Sequence, residues 1–148
     1  KSELPRFKVE YFDDDNIKNI NSYFLKSKPH IFNRDFEKAL PDVSKGDFVY
    51  FDPPYRPLTT TASFTAYTEN LFNDKEQIEL ARFVDAMHNK RAKVVISNSD
   101  PKNSDTDDDF FDRIYSSHNI KRVEATRMIN CNGEARGKIK ELLISNFL

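Results

Sequence analysis

Glycine is scarce in this chain: 148 residues contain three, Gly46, Gly133 and Gly137, and they form no closely spaced loop of the kind that lets a backbone cradle a ligand. Cysteine occurs once, at Cys131, which excludes an internal disulfide. The three histidines, His30, His88 and His118, stand far apart and without cysteine pairs, so no metal-ligand spacing is present and no metal is expected. Charge of one sign is also missing. Twenty-three basic residues meet 24 acidic ones, for a net charge of −1, so any attraction to a polyanion has to come from a local patch. There is no long apolar run, signal peptide or lipidation motif, and the expectation is a cytoplasmic protein of bacterial intracellular type.

What is present suits one folded core, since 38% of the residues are hydrophobic and 13% aromatic. The elements follow from local signals. Lys1 to Phe12 alternates weakly, as a short edge strand or a piece entering from elsewhere would. Asp13-Asp14-Asp15-Asn16 supplies the cap and first-turn acids of a helix over about Ile17 to Lys26, with Ile17, Ile20 and Phe24 on its apolar face. His30 to Asn33 is expected as a short strand, and Lys45-Gly46-Asp47 as the tight turn feeding the next one. Asp74-Lys75-Glu76-Gln77 opens a helix to about Asn89 whose Leu80, Phe83, Val84 and Met87 share a face. Ala92 to Ile96 is expected as a buried parallel strand. Phe110, Phe111, Ile114 and Tyr115 mark a further helix, and Ile120 to Met128 with Ile139 to Phe147 an antiparallel hairpin at a sheet edge.

Phe48-Val49-Tyr50-Phe51 has no polar alternation, as expected of a central parallel strand covered on both faces. Asp52-Pro53-Pro54-Tyr55 follows at its carboxyl end, where open α/β sheets bind ligands. Pro53 lacks an N–H and stops the strand, while Pro54 holds Pro53 extended. One rigid segment then offers a carboxylate oxygen from Asp52, a carbonyl oxygen from Pro53 and a flat ring with a polar tip from Tyr55. Two acceptors beside a π-face suit a planar amine. By taking both N–H hydrogens they favour a pyramidal nitrogen with its lone pair free, and they stabilise the positive charge that develops when an electrophile attacks. The alternative is that these four residues merely close the strand with a stiff turn.

Gly46-Asp47-Phe48-Val49-Tyr50-Phe51-Asp52-Pro53-Pro54-Tyr55, then Pro57-Leu58, Ala62 to Tyr67, Ile96-Ser97-Asn98-Ser99-Asp100, and Arg127 to Asn130 through Gly137 to Leu143 resemble the Dam-type, D12 class DNA adenine N6-methyltransferases, most closely the methylases of GATC restriction systems. The similarity runs in consistent order from about residue 30 to the C-terminus. It implies part of a Rossmann-like methyltransferase fold, α/β with a mostly parallel sheet ending in an antiparallel hairpin. It also implies S-adenosyl-L-methionine as methyl donor, double-stranded DNA as partner, and an adenine flipped out of the duplex to reach Asp52, Pro53, Pro54 and Tyr55.

Under that resemblance Asp35 and Phe36 hold the adenine end of the cofactor, with Asp52 at its reacting end; Asp35 as a simple turn cap is the alternative. Arg56 to Asn73 is long, rich in hydroxyls and without helical periodicity, so Ser63, Phe64 and Tyr67 are candidates for contacting DNA, the hydroxyls more weakly than the rings. Asn98 and Asp100 either line the target pocket or turn the chain before Pro101. In the hairpin, Lys121, Arg122, Arg127, Arg136, Lys138 and Lys140 make the most basic stretch, and Arg127, Arg136 and Lys138 are the phosphate candidates. Charged edge strands that resist aggregation would look the same. The family also carries, upstream of this motif, a glycine loop for the methionine part of the cofactor. The expectation is therefore that residues 1–12 end an upstream recognition region, that 13–148 form the later part of the catalytic domain, and that this stretch alone is inactive without the upstream half. Methyltransferases acting on RNA adenine, cytosine N4 or a protein glutamine share related tetrapeptides and stay open as alternatives. So does a nucleic-acid-binding module without catalysis.

Overall fold

The computed structural model describes residues 13–57, 72–126 and 138–147, with the side chains of Thr126 and Lys138 outside that description. The chain divides into two compact units, Lys1–Arg34 and Asp35–Leu148.

In the first unit, helix α1 spans Asp14–Ser27. Asp13 caps it by accepting from the Asn16 N–H at 2.9 Å, and Lys28 ends it in the left-handed region at φ 48° with its N–H on the Phe24 carbonyl. Ile17, Ile20 and Phe24 are exposed, so the apolar face read from the spacing exists but is uncovered among the described residues of this unit. The strand expected over His30 to Asn33 is absent: these residues are irregular, Ile31 is 81% exposed, and no described strand pairs with them. Apolar content does not make a strand without a partner ladder.

The second unit opens with a 3-10 helix, Phe36–Asp42. A turn closed by the Asp47 carboxylate on the Ser44 N–H, with Gly46 at φ 90°, leads into strand β1, Phe48–Phe51. Gly46 occupies a conformation that other residues reach only with strain. Helix α2, Asp74–Asn89, starts at a capping box in which Asn73 and Glu76 satisfy one another's backbone donors. It returns the chain to strand β2, Lys93–Ser99, which pairs parallel to β1. A short 3-10 turn, Pro101–Asn103, and helix α3, Phe110–Ile114, precede strands β3, Asn119–Thr126, and β4, Lys138–Ser145.

The sheet order is β1-β2-β4-β3, with β4 antiparallel to both neighbours. Among the described strands the sheet is therefore mixed, with a single parallel pair, and not mostly parallel as expected. The hairpin's second strand inserts beside β2 and makes two of the pairings antiparallel. Leu80, Val84 and Met87 of α2 pack with Val94, Ile96, Leu142, Ile144 and Phe111 to form the core on one face. Burying such side chains is worth about 1.5–3 kcal/mol each.

Strand β1, expected to be central and covered on both faces, lies at the edge of the sheet among the described strands with one face covered: Val49 and Phe51 face the core, while Phe48 and Tyr50 are 62% and 54% exposed. Among the described residues no helix is long and apolar enough to cross a membrane, and no group of three or more metal-ligating side chains gathers.

Candidate active site

Because Phe51 pairs with Ile96 and the ladder then stops, Asp52 comes level with Ser97, the first of four polar residues that end β2. Ser97, Asn98, Ser99 and Asp100 are all buried, which polar side chains tolerate only when they are paired. For Ser97, Asn98 and Ser99 the partners lie largely at the two ends of the stretch from Asp52 to Arg56. The Ser97 hydroxyl donates to Asp52 Oδ1 at 2.9 Å. Asn98 Oδ1 accepts from the Arg56 N–H at 3.0 Å and from the Ser99 N–H at 2.9 Å, and the Ser99 hydroxyl donates to the Arg56 carbonyl at 2.6 Å. From α2, the Gln77 amide nitrogen donates to the Pro54 carbonyl at 3.1 Å. Side chains thus replace the ladder that two prolines cannot make. Among the described residues the Pro53 carbonyl has no hydrogen-bond partner.

Asp52 is exposed and Tyr55 half-buried. Burial pushes the Tyr55 hydroxyl above the usual phenol value, opposed by the nearby Ser97 hydroxyl and reinforced by the carboxylates of Glu141 and Asp52. The segment therefore presents one fixed carboxylate, one unengaged carbonyl and an aromatic ring, all at the carboxyl end of β1.

Arg56 fastens the far end of this strap. Its guanidinium makes two bonds to Asp74, from Nε at 2.7 Å and Nη2 at 3.1 Å, and a third from Nη1 to Asp108 at 2.6 Å, and it lies 4.4 Å from the Phe110 ring centroid. These bonds hold its already high pKa higher still, against burial. Burial alone would raise Asp108, but the bonds from Arg56 and the Phe110 N–H hold it below the usual carboxylate range.

Asp35 caps the first 3-10 helix, its Oδ1 accepting from the Glu37 N–H at 2.9 Å, and it is exposed. The Phe36 ring packs edge-on against Phe83, Phe51 and Phe72 at 5.3–6.4 Å. Asp100 caps the turn at Pro101 and receives Arg122 Nε at 3.0 Å. Arg122 also chelates Asp112, so this arginine of the basic hairpin is committed to the fold. Asn98 likewise spends its side chain on Arg56, Ser99 and Gln77. Ser63, Phe64, Tyr67, Arg127 and Arg136 lie outside the described residues, as does the side chain of Lys138.

Sequence reasoning missed Gln77, Ser97 and Arg56. Gln77 had a signal, an amide on the helical stripe it shares with Leu80, Ala81 and Val84, and it is fully buried. Ser97 had one only through the strand register.

The family model described as D12 class N6 adenine-specific DNA methyltransferase matches residues 4–129. Among curated proteins, the chain is 45% identical over 137 residues to the Type II methyltransferase M.MjaIII of Methanocaldococcus jannaschii, covering 92% of this chain and 45% of that protein. It is 36% identical over 135 residues to the Type II methyltransferase M1.LlaDCHI of Lactococcus lactis, covering 91% and 45%. Against the DNA adenine methylase of Haemophilus influenzae the identity is 34% over 140 residues, covering 93% and 45%. The chain thus spans just under half the length of these relatives.

Proposed function

The chain belongs to the D12 class N6 adenine-specific DNA methyltransferases, and from that premise we propose that it supplies the amine-activating part of a site-specific DNA adenine N6-methylation, with GATC as the sequence acted on. One observation carries this reading: Asp52 Oδ1 is pinned by Ser97, and the carbonyl of the next residue, Pro53, is unengaged among the described residues.

The adenine amino group is a poor nucleophile because its lone pair is delocalised into the ring. Asp52 and the Pro53 carbonyl accept its two N–H hydrogens, turn the lone pair outward and stabilise the charge that forms on nitrogen. Bound S-adenosylmethionine supplies an electrophilic methyl group on a sulfonium. With that methyl group in place, Asp52 would take up the amine proton that methylation releases. Tyr55 stacks on the flipped base. The two carbonyl-type acceptors gain most when the charge is largest, so they lower the barrier more than they tighten substrate binding.

Asp35 fits the cofactor's adenine amino group in one respect. Its Oδ1 serves the Glu37 N–H, and its exposed position leaves the other carboxylate oxygen available to an incoming donor. Phe36, whose ring packs edge-on against Phe83, Phe51 and Phe72, is assigned to the cofactor's adenine ring in this reading. Ser63, Phe64, Tyr67, Arg127, Arg136 and Lys138 are assigned to DNA in this reading, the cations to phosphates. A Rossmann-like arrangement around the β1-α2-β2 unit is part of the same proposal.

The test is Asp52→Ala in the full-length protein, assayed on GATC duplexes, scrambled duplexes, RNA and a glutamine-bearing peptide. Methyl transfer to GATC is expected to fall by orders of magnitude with S-adenosylmethionine affinity unchanged. Near-normal turnover would remove Asp52 from the chemistry, and preferential methylation of RNA, cytosine or peptide by the unaltered protein would replace the substrate.

A further inference from the structure

We propose that Ser97 is a positioning residue for Asp52, and that Tyr50 acts on the same carboxylate through it. This inference rests on the reading of Asp52 as the acceptor for the adenine amine.

Asp52 is exposed, and an exposed carboxylate on a chain end ordinarily samples several rotamers and exchanges its bonds with water. An acceptor that activates an amine has to stand still, because a displacement of about 1 Å costs about a hundredfold in rate. Among the described side chains, the one that holds Asp52 is Ser97, with its hydroxyl 2.9 Å from Oδ1. Ser97 is buried and paired with Leu143 of β4, one residue beyond the last β1 pairing, so its oxygen is a rigid point.

A serine hydroxyl has one hydrogen and three directions to aim it. Of the two tyrosine hydroxyls near it, those of Tyr55 and Tyr50, the one at hydrogen-bonding geometry is that of Tyr50, which makes the choice. Its hydroxyl donates to Ser97 Oγ at 3.0 Å and occupies a lone pair, which leaves the Ser97 hydrogen to face an acceptor. The competing acceptor, the Phe51 carbonyl, lies at 3.5 Å, so Asp52 at 2.9 Å takes the proton. The result is a directed chain, Tyr50 O–H to Ser97 O–H to Asp52 Oδ1, in which each bond polarises the next. It engages one oxygen of Asp52 and leaves Oδ2 for the substrate. Residues in this chain come from adjacent strands, and the register Tyr50 to Val95 and Phe51 to Ile96 is what brings them together.

The experiment compares Ser97→Thr with Ser97→Val in the full-length protein, since the two side chains share a shape and differ by the hydroxyl. Ser97→Thr is expected to retain most of the turnover on GATC duplexes. Ser97→Val is expected to lower kcat by up to about a hundredfold, with KM for DNA and for S-adenosylmethionine unchanged. Tyr50→Phe should give a smaller fall in kcat, and Tyr50→Phe combined with Ser97→Val should be no slower than Ser97→Val alone, because Tyr50 works through a hydroxyl that is no longer there. Equal turnover of the Thr and Val variants, while Asp52→Ala is inactive, overturns the positioning role. A loss in both variants that tracks a fall in melting temperature overturns it too, in favour of a structural role. If Asp52→Ala itself turns over normally, the failure lies in the parent reading of Asp52, and this one falls with it.

Discussion

The side-chain amides of Gln77 and Asn98 meet at 3.2 Å in the interior, Asn98 Nδ2 donating to Gln77 Oε1, with both residues fully buried. Each uses its other end on the same stretch of backbone: Gln77 donates to the Pro54 carbonyl and Asn98 accepts from the Arg56 N–H. The pair is a bracket that clamps the Asp-Pro-Pro-Tyr strap from α2 and β2 together. Gln77→Leu would leave Asn98 Nδ2 and the Pro54 carbonyl without partners, at a cost of about 1–3 kcal/mol. Urea denaturation should show that loss, and the Gln77→Leu, Asn98→Leu pair should lose less than the sum of the two single changes.

Arg56 ties acid stability to the strap. Asp108 is held below the ordinary carboxylate range in the folded chain, so its contribution is present above the unfolded pKa of about 4 and is lost as pH falls below it. Asp112, which burial alone would raise, is lowered in the same way by hydrogen bonds from Arg122 and Lys102 and adds to the same window. The urea midpoint should therefore decline below pH 4, and Arg56→Gln should lower it at neutral pH while flattening the decline. An unchanged acid slope in Arg56→Gln would show that the pair with Asp108 carries no stability.

Tyr55 separates ring from hydroxyl. Tyr55→Ala is expected to lose base stacking worth about 1–3 kcal/mol, seen in kcat/KM for DNA. Tyr55→Phe should lose much less, because it keeps the ring that stacks. Equal losses would assign the effect to the hydroxyl.

Asp35 is an N-cap in the structure and a cofactor contact in the proposal, and the two are separable. Asn replaces Asp as a cap at little cost, whereas Ala costs about 1 kcal/mol of stability. If Asp35 also accepts from the cofactor's amino group, Asp35→Ala should weaken S-adenosylmethionine binding by about tenfold, the value of one charge-assisted bond, with DNA affinity unchanged. Calorimetry showing a stability loss and normal cofactor affinity would leave Asp35 as a cap alone.

Local signals carried the elements whose causes are local. Asp74-Lys75-Glu76-Gln77 predicted helix α2, which spans Asp74–Asn89, because caps and an apolar stripe act within a few residues. Phe48 to Phe51 is a strand as read, since an aromatic and β-branched run stopped by Pro53 leaves little else. Its place in the sheet was not legible: covering on two faces depends on what packs against it, and the exposed Phe48 and Tyr50 show one covered face. His30 to Asn33 failed for the same reason, a missing ladder partner. Asp52, Pro53 and Tyr55 announced a site by chemical type. Ser97 stayed hidden, because its role arises from a register between residues 45 positions apart. Arg56 was hidden by partners on two different helix starts, Asp74 and Asp108.

The position of β1 at the sheet edge has a consequence for how the molecule opens. Strands β3 and β4 share eight register pairs, whereas β1 has four residues and one strand beside it. Opening free energies follow such differences, so the stretch from Phe48 to Arg56 can lift away from β2 while the hairpin and α2 stay folded. Among the described residues, the bonds that resist this lifting come from Gln77, Ser97, Asn98 and Ser99 and from the Arg56 ion pairs. Among the described strands, the one that leads into the candidate segment is thus held by the fewest register pairs, and the same few side chains set both the segment's geometry and the frequency with which that geometry is lost.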